Sequence, residues 1–205
     1  EDVLVPYTME YLVRDNGTVI VTGSIDLTGT KLPELPRFGM RMELHQPYEN
    51  LTYYGRGPFE NYIDRYSGAF IGRYEDKVEN QFYWYIRPQE TGNKTDVRWL
   101  TLLDSGGLGV KITGLQPISF SALHFSPEDL DPGLTRKLQH TIDIVPQKNI
   151  FLHVDLKQRG LGGDNSWGMY PHNEYRLLDK KYTYSYMIEL VEKGSDKNDY
   201  LNSRK

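Results

Sequence analysis

The 205-residue sequence has no cysteine, no long apolar run and no cluster of positive charge. Without cysteine, disulfide bonds and thiolate catalysis are excluded. No window approaches the roughly 20 apolar residues that a membrane-spanning helix needs, so we expect no membrane partner. A net charge of −4, with no run of lysine and arginine, argues against nucleic acid as a partner.

Motifs for metal or cofactor chemistry are also missing. There is no HExxH, no GxSxG, no phosphate-binding loop and no dinucleotide fingerprint. The histidines are too dispersed to predict a zinc site; they are His45, His124, His140, His153 and His172. We therefore expect no metal or cofactor in this chain, and we interpret the glycine-rich segment 106–110 as a hairpin turn.

The beginning of the chain, EDVLVPY, contains neither an initiating methionine nor a signal-peptide pattern. We therefore expect an excised fragment or a processed product. No repeat or linker-like change of composition divides the sequence, which predicts one domain over residues 1–191. The polar residues 192–205 are expected to form a frayed tail.

Strand signals dominate the sequence. Its 16 Tyr, 7 Phe and 3 Trp suit half-buried strands, and they also suit sugar binding. Asn16-Gly17 separates two runs of strand formers and predicts a tight hairpin turn with two positive-φ residues. Further β-rich runs occur at 38–44, 50–55, 97–103, 108–114, 117–125, 138–145, 150–157 and 181–191. About ten strands between Gly, Pro and Asp turns predict an all-β fold, a large antiparallel sandwich.

Helix signals are few. In SPEDL, Ser126 is an N-cap residue followed by Pro127 and two acids, but Asp131-Pro132-Gly133 comes directly afterwards. This pattern predicts a single helical turn. The aromatic-rich segment 56–80 has no strand-like alternation, and we expect a long ordered excursion over the sheet.

Two polar segments each allow a functional and a structural interpretation. The loop YYGRGPFENYIDR (53–65) could line a polar ligand site, or its charged side chains could pair with one another and fix the loop against the sheet; these are Arg56, Glu60, Asp64 and Arg65. In 86–102, Glu90 and Arg98 could form a carboxylate–guanidinium pair for polar recognition. Glu90 could also be a general acid, although no second carboxylate is marked as its partner.

The segment GGDNSWG (162–168) favours ligand contact. Its glycines permit backbone shapes that other residues avoid, which suits a loop next to a ligand. Trp167 follows three polar residues instead of lying in an apolar run, so it is not placed as a core side chain.

Five ordered stretches resemble the C-terminal, small-chain β-sandwich of bacterial β-galactosidases of glycoside hydrolase family 2. They are LPRFGM (35–40), YYGRGPFENYIDR (53–65), RPQETGNKTDVRW (87–99), SALHFSPEDL (121–130) and DLKQRGLGGDNSWG (155–168). The resemblance implies a galactose-mutarotase-like super-sandwich of about eighteen antiparallel strands. It also implies a parent enzyme that hydrolyses terminal β-D-galactosides with retention. In such enzymes both catalytic glutamates lie in a (β/α)₈ barrel, and this chain has no room for a barrel of about 200 residues.

The same resemblance implies roles for particular residues. Trp167 matches a tryptophan that stacks on the aglycone sugar, and Asp164, Asn165 and Ser166 match residues that shape its loop. A possible polar site on the sheet face consists of recurrent family positions without an assigned role; they are Glu90, Asn93, Arg98 and His124. The implied partners are a galactoside, the catalytic barrel of the same polypeptide and, in the parent, further subunits. Parent enzymes hold Mg²⁺ and Na⁺ elsewhere, and the compartment, bacterial cytoplasm or periplasm, stays open.

Two alternatives belong to other functional classes. The tyrosines and Trp167 would also suit a free-standing carbohydrate-binding module. A mutarotase-like fold would further allow an aldose epimerase that uses a histidine and a glutamate, and His124 or His153 with Glu90 would be its candidates.

Overall fold

The computed structural model describes residues 4–45, 47–131, 140–165 and 167–192. Nine β-strands and one short helix, α1, make up its main elements; they are β1 (Tyr7–Val13), β2 (Val19–Asp26), β3 (Arg37–Leu44), β4 (Asn50–Gly57), β5 (Phe70–Lys77), β6 (Lys94–Leu103), β7 (Leu108–Leu123), α1 (Pro127–Leu130), β8 (Ile150–Gln158) and β9 (Lys181–Glu192). Short 3₁₀ turns occupy Val78–Asn80, Thr141–Asp143 and Asn173–Tyr175. In the described part of the chain, no helix is long and apolar enough to cross a membrane.

All strand pairs are antiparallel, which confirms the predicted all-β fold. The strands follow the order β1-β2-β9-β7-β6-β4-β5, and β8 joins β7 to β3. One side of β7 pairs with β6. The other side pairs with β9 over residues 108–114 and then with β8 over residues 119–123. Strand β7 therefore belongs to both parts of the sheet.

The change of partner along β7 has a local cause. Pro117 lacks a backbone N–H and lies between the part that pairs with β9 and the part that pairs with β8. Next to it, the side-chain amide of Gln116 donates to the carbonyl of Ser185 at 3.1 Å and accepts from the Ser185 N–H at 3.2 Å. A side chain thus replaces ladder bonds where the backbone of β7 leaves β9.

The β3–β8 pair packs over the β2–β9 pair and encloses the main core. The ring of Phe38 lies 5.5 Å from that of Tyr184, and the Tyr184 hydroxyl donates to the carbonyl of Val154 at 2.8 Å. The apolar side chains of β4, β6 and β7 continue this core, and most are fully buried. The arrangement is a two-layered sandwich, as the sequence predicts.

The first hairpin forms where Asn16-Gly17 predicts it, but the predicted turn type is wrong. Only Gly17 has a positive φ, +84°. Its N–H donates to the carbonyl of Arg14 at 2.9 Å, while the Arg14 N–H donates to the carbonyl of Thr18. The Asn16 side chain accepts from the Thr18 N–H, which stabilises this longer loop without a second positive-φ residue.

Two other local predictions are wrong. Segment 56–80 contains strand β5, an edge strand whose side chains are largely exposed, so its sequence shows no apolar alternation. Within 138–145, Thr141–Asp143 form a 3₁₀ turn and residues 140–145 contain no strand; the apolar Ile142 and Val145 point to solvent. Residues 138–139 lie outside the described part of the chain.

The remaining expectations concern the helical turn, the second hairpin turn, the number of strands and the tail. Helix α1 is a single turn with a capping box between Ser126 and Asp129, as predicted. A hairpin turn also forms near the predicted segment 106–110, but it occupies 104–107, since β6 ends at Leu103 and β7 begins at Leu108. The described residues form nine strands and not about eighteen. Of the expected tail, Glu192 ends β9, and 193–205 lie outside the described residues.

The close contact between β4 and β6 predicts that any side chain at position 55 destabilises the protein. A Cβ at Gly55 would lie 2.8 Å from the Cα of Val97, a backbone atom that cannot move aside. We expect Gly55→Ala to lower the free energy of unfolding by about 1–3 kcal/mol through overpacking. Urea denaturation measures this, and Gly68→Ala is the control because its nearest neighbour would lie 3.5 Å away. Equal stability of the two variants would contradict the prediction.

Candidate functional site

The segment after β8 forms a loop, residues 159–176, that presents Trp167 to solvent. The indole side chain is 89% exposed, and its neighbours Met169 and Tyr170 are also more than half exposed. Gly168 has a φ of +96°, which a residue with a side chain rarely adopts. The sequence prediction that Trp167 is not a core residue is therefore confirmed.

The two ends of this loop are held together by one carboxylate. Glu34, whose side chain is 5% exposed, accepts from Arg159 at 3.0 Å and also from Arg176. Burial opposes ionisation of Glu34, but the two guanidinium groups outweigh it and lower its pKa. The N–H of Gly160 donates to the carbonyl of Tyr175 at 2.8 Å and closes the neck of the loop.

A second anchor comes from the ENYIDR segment of the 53–65 loop. The carboxylate of Asp64 accepts from the N–H of Gly162 at 2.7 Å. A Cβ at Gly160 would lie 2.7 Å from the carboxyl carbon of Asp64, so glycine allows the close approach. Two of the family-like motifs, 53–65 and 155–168, therefore meet at Asp64.

The predicted residues beside Trp167 stabilise the loop itself. Asn165 accepts from the backbone N–H of Trp167 at 2.8 Å. Asp164 binds the imidazole of His172 at 2.8 Å, and this hydrogen bond raises the pKa of His172. Ser166 lies outside the described residues. The side chains of Asp164 and Asn165 thus make hydrogen bonds within the loop, and the indole of Trp167 stays exposed.

A shallow groove of about 560 Å³ lies next to the loop anchor. Asp64 forms part of its wall, together with several aromatic side chains; they are Phe59, Tyr66, Tyr83 and Tyr85. Phe59 and Tyr83 are more than half exposed. Asp64 therefore lines the groove and also anchors the Trp167 loop, so the two parts of the candidate site meet at this residue.

The charged side chains of the 53–65 loop mostly pair within the protein. Glu60, 8% exposed, binds Arg65 at 2.6 Å and accepts from the N–H of Gly92 at 2.8 Å. Arg56 forms an ion pair with Asp96. These contacts fix the loop against the start of β6 and favour the structural interpretation of this segment.

The four residues of the possible sheet-face site lie in separate networks. Glu90 pairs with Arg37 at 2.8 Å, whereas Arg98 donates to the carbonyl of Asp96. The possible pair between Glu90 and Arg98 therefore does not form.

Asn93 and His124 are held elsewhere. Asn93 is 1% exposed and donates to the carbonyl of Asn61 at 2.8 Å, so it joins the 53–65 loop to β6. His124 lies 3.1 Å from a carboxylate oxygen of Glu49 and 3.1 Å from the carbonyl of Asn149. The structure does not bring Glu90, Asn93, Arg98 and His124 together around one ligand.

The sequence as a whole matches a known family. A family model described as beta galactosidase small chain matches residues 2–188. The chain belongs to this family.

Curated relatives of this chain are named β-galactosidase. A β-galactosidase of Priestia megaterium is 36% identical over 180 residues, which are 87% of this chain and 17% of the relative. A β-galactosidase of Streptococcus thermophilus is 35% identical over 190 residues, 92% of this chain and 18% of the relative. One from Lactobacillus delbrueckii subsp. bulgaricus is 35% identical over 176 residues, 85% of this chain and 16% of the relative. The small chain spans about one sixth of the length of these relatives.

Sequence reasoning missed two residues that organise this small chain. Glu34 precedes the LPRFGM motif and Arg37 lies within it, but neither carries a local signal, because their partners lie more than 50 residues away. The motifs LPRFGM and RGLGGDNSWG were the sequence signals for a role of this region. Each contains a charged residue among apolar or glycine positions. In the described residues, no group of three or more His, Asp or Glu side chains could hold a metal ion.

The Glu34 anchor predicts the order of the Trp167 loop. Glu34→Gln keeps the side-chain shape but leaves Arg159 and Arg176 without their charge partner. We expect a loss of about 1–3 kcal/mol in the free energy of unfolding, and faster hydrogen–deuterium exchange in peptides that cover 159–176.

The matched control is Glu128→Gln, which removes an exposed ion pair with Arg41. Its effect should stay below about 1 kcal/mol. If exchange in 159–176 were equally slow in Glu34→Gln and in the unchanged chain, Glu34 would not be the anchor.

Proposed function

We propose that this small chain is an accessory domain of a β-galactosidase that hydrolyses terminal β-D-galactosides. In this proposal Trp167 stacks on the sugar that leaves with the aglycone, and the domain forms one wall of the substrate site. The observation that carries the proposal is an indole 89% exposed on a loop that is fixed at its base by Glu34 and Asp64.

The physical argument rests on the combination of exposure and anchoring. An exposed tryptophan leaves a large apolar surface in water, and covering it with the C–H face of a pyranose recovers that free energy. The contacts at Glu34 and Asp64 restrict the loop before a ligand binds, so less conformational entropy is lost on binding. A preformed stacking platform is the role that fits such a loop.

The adjoining groove supports a wall role and not a catalytic one. Its two carboxylates are Glu60, bound to Arg65 and Gly92, and Asp64, bound to Gly162. A retaining glycosidase needs one carboxylate as a nucleophile and a second as an acid about 5–5.5 Å away, and both must face the substrate. We propose that the catalytic carboxylates come from a barrel domain of the same polypeptide. The roughly sixfold greater length of the relatives allows this.

The stacking role predicts a binding defect in the complete enzyme. Trp167→Ala should raise KM for lactose about 5- to 100-fold, since base or sugar stacking on an aromatic ring contributes roughly 1–3 kcal/mol. Trp167→Phe should recover part of the loss because it keeps a flat ring.

Steady-state kinetics measures both variants. Tyr7→Ala is the matched control, because Tyr7 is an exposed aromatic residue on β1, outside the loop. An unchanged KM in Trp167→Ala would remove the stacking role, and an equal rise in Tyr7→Ala would indicate a general structural effect.

The wall role also predicts that the 205-residue chain is inactive alone. It should not hydrolyse nitrophenyl β-D-galactoside above the buffer rate, because its groove carboxylates are already paired with protein groups. Absorbance of the released nitrophenolate follows the reaction over hours. Turnover that Glu60→Gln or Asp64→Asn abolished would show that this chain carries its own catalytic pair. Tight binding of lactose without turnover would instead favour a free-standing carbohydrate-binding module.

A further inference from the structure

A second polar pocket lies on the outer face of the β3–β8–β7 layer. Its volume is about 290 Å³, at the small end of the range of ligand pockets. The polar wall includes Arg37, Glu90, Ser121 and His153. The apolar wall comes from the start of α1 and its surroundings; it consists of Pro88, Leu123, Phe125, Pro127 and Leu130. None of these residues belongs to the Trp167 loop.

Arg37 organises the polar wall. Its guanidinium donates to Glu90 at 2.8 Å and to Gln158 at 2.7 Å, and it contacts the Nδ1 atom of His153 at 3.1 Å. Its Nε lies 3.1 Å from a carboxylate oxygen of Asp155. These contacts hold β3, β8 and the 86–92 segment in one geometry, so the pocket wall is preformed.

The contact with Arg37 fixes the proton position on His153. A guanidinium only donates hydrogen bonds, so Nδ1 of His153 accepts, and the neutral ring carries its proton on Nε2. Burial, with the positive charges of Arg37 and Arg41, lowers the pKa of His153 to about 4. At neutral pH the ring is therefore an uncharged N–H donor beside the carboxylate of Glu90 and the hydroxyl of Ser121.

The back of the pocket wall is a buried carboxylate. Asp155 is fully buried, and a Cβ at Gly39 would lie 1.8 Å from its Oδ1, so only glycine leaves room for it. Burial raises the pKa of Asp155 to about 7, against the opposing effect of Arg37. Among the described residues, its two oxygens have no hydrogen-bond partner beyond the ion pair with Arg37.

The charges of the wall select the kind of ligand. Among the described residues that line the pocket, Arg37 is the only cation, and its guanidinium already faces the carboxylate of Glu90 at 2.8 Å. A phosphate or carboxylate ligand would therefore compete with Glu90 for this one guanidinium. A hydroxyl group both donates and accepts, so hydroxyl groups can satisfy both the imidazole N–H and the carboxylate that line this pocket.

We propose that this pocket, formed by Arg37, Glu90, Ser121 and His153, binds a neutral polyhydroxylated ligand of monosaccharide size. The polar wall takes the hydroxyl groups and the apolar wall around Phe125 takes a C–H face. The structure assigns binding to this pocket and no reaction step, because the same guanidinium holds both His153 and Glu90.

The test uses the 205-residue chain with Trp167→Ala, so that the loop cannot contribute. The probes are D-galactose and myo-inositol, with D-galacturonate as the anionic comparison. NMR follows the imidazole signals, and His153→Gln identifies the His153 ring. We expect saturable shifts of this ring by the neutral probes with Kd of about 1–10 mM, the range for a small ligand with modest efficiency. Galacturonate should bind at least tenfold more weakly.

Two variants and a control locate the site. Glu90→Gln and Ser121→Ala should each weaken binding about tenfold or more, since each removes or weakens a hydrogen bond from the polar wall and leaves the His153 ring as the reporter. Glu128→Gln should leave Kd unchanged, because it removes an exposed carboxylate outside the pocket. The absence of any saturable shift up to 100 mM (roughly ten times the expected Kd), or equal binding in all three variants, would overturn the proposal.

A polarimetric measurement separates binding from catalysis. Fresh α-D-galactose should approach its anomeric equilibrium at the same rate with and without the chain. A faster approach that His153→Gln abolished would replace the binding role with an epimerase. Tighter binding of galacturonate than of galactose would overturn the charge argument and with it the proposed ligand class.

Discussion

Strand β7, 16 residues long, pairs with β6 on one side and with β9 and then β8 on the other, and both layers of the sandwich depend on this pairing. Its first half extends the layer that contains β9, and its second half begins the layer that contains β8 and β3. Because β8 leads directly into the Trp167 loop, the position of that loop follows from where β7 changes partner. The core and the candidate site are therefore parts of one arrangement.

Buried polar contacts transmit this arrangement to the surface. Asn61 is fully buried and accepts from the N–H of Thr95 at 2.9 Å, and Glu60 binds the N–H of Gly92. Such groups are costly to bury without partners, so the 53–65 loop has one favourable position against β6. Asp64 at the end of that loop then meets Gly162. A chain of hydrogen-bonded polar groups thus links the sheet to the Trp167 loop.

The two candidate surfaces differ in physical character. The Trp167 loop offers an exposed apolar ring on a fixed base, which suits stacking against a sugar that another part of the protein also holds. The Arg37 pocket is smaller than the groove beside that loop, and its polar wall consists of paired charges and a neutral imidazole. Binding there would depend on hydrogen bonds to hydroxyl groups and not on stacking. Both surfaces lie on the same sandwich, but different loops form them.

The sequence by itself determined the all-β class, the strand runs of the core, the first hairpin, the helical turn at Ser126 and the unusual position of Trp167. Each of these depends on neighbours within a few residues, and local propensity and periodicity carry that information. Only the tertiary structure decided that 108–123 is one strand with two partners and that 70–77 forms an edge strand. It also decided that Glu34 closes the Trp167 loop and that Arg37 organises the pocket. These contacts join residues far apart in the chain, so their free energies appear only when the sheets pack.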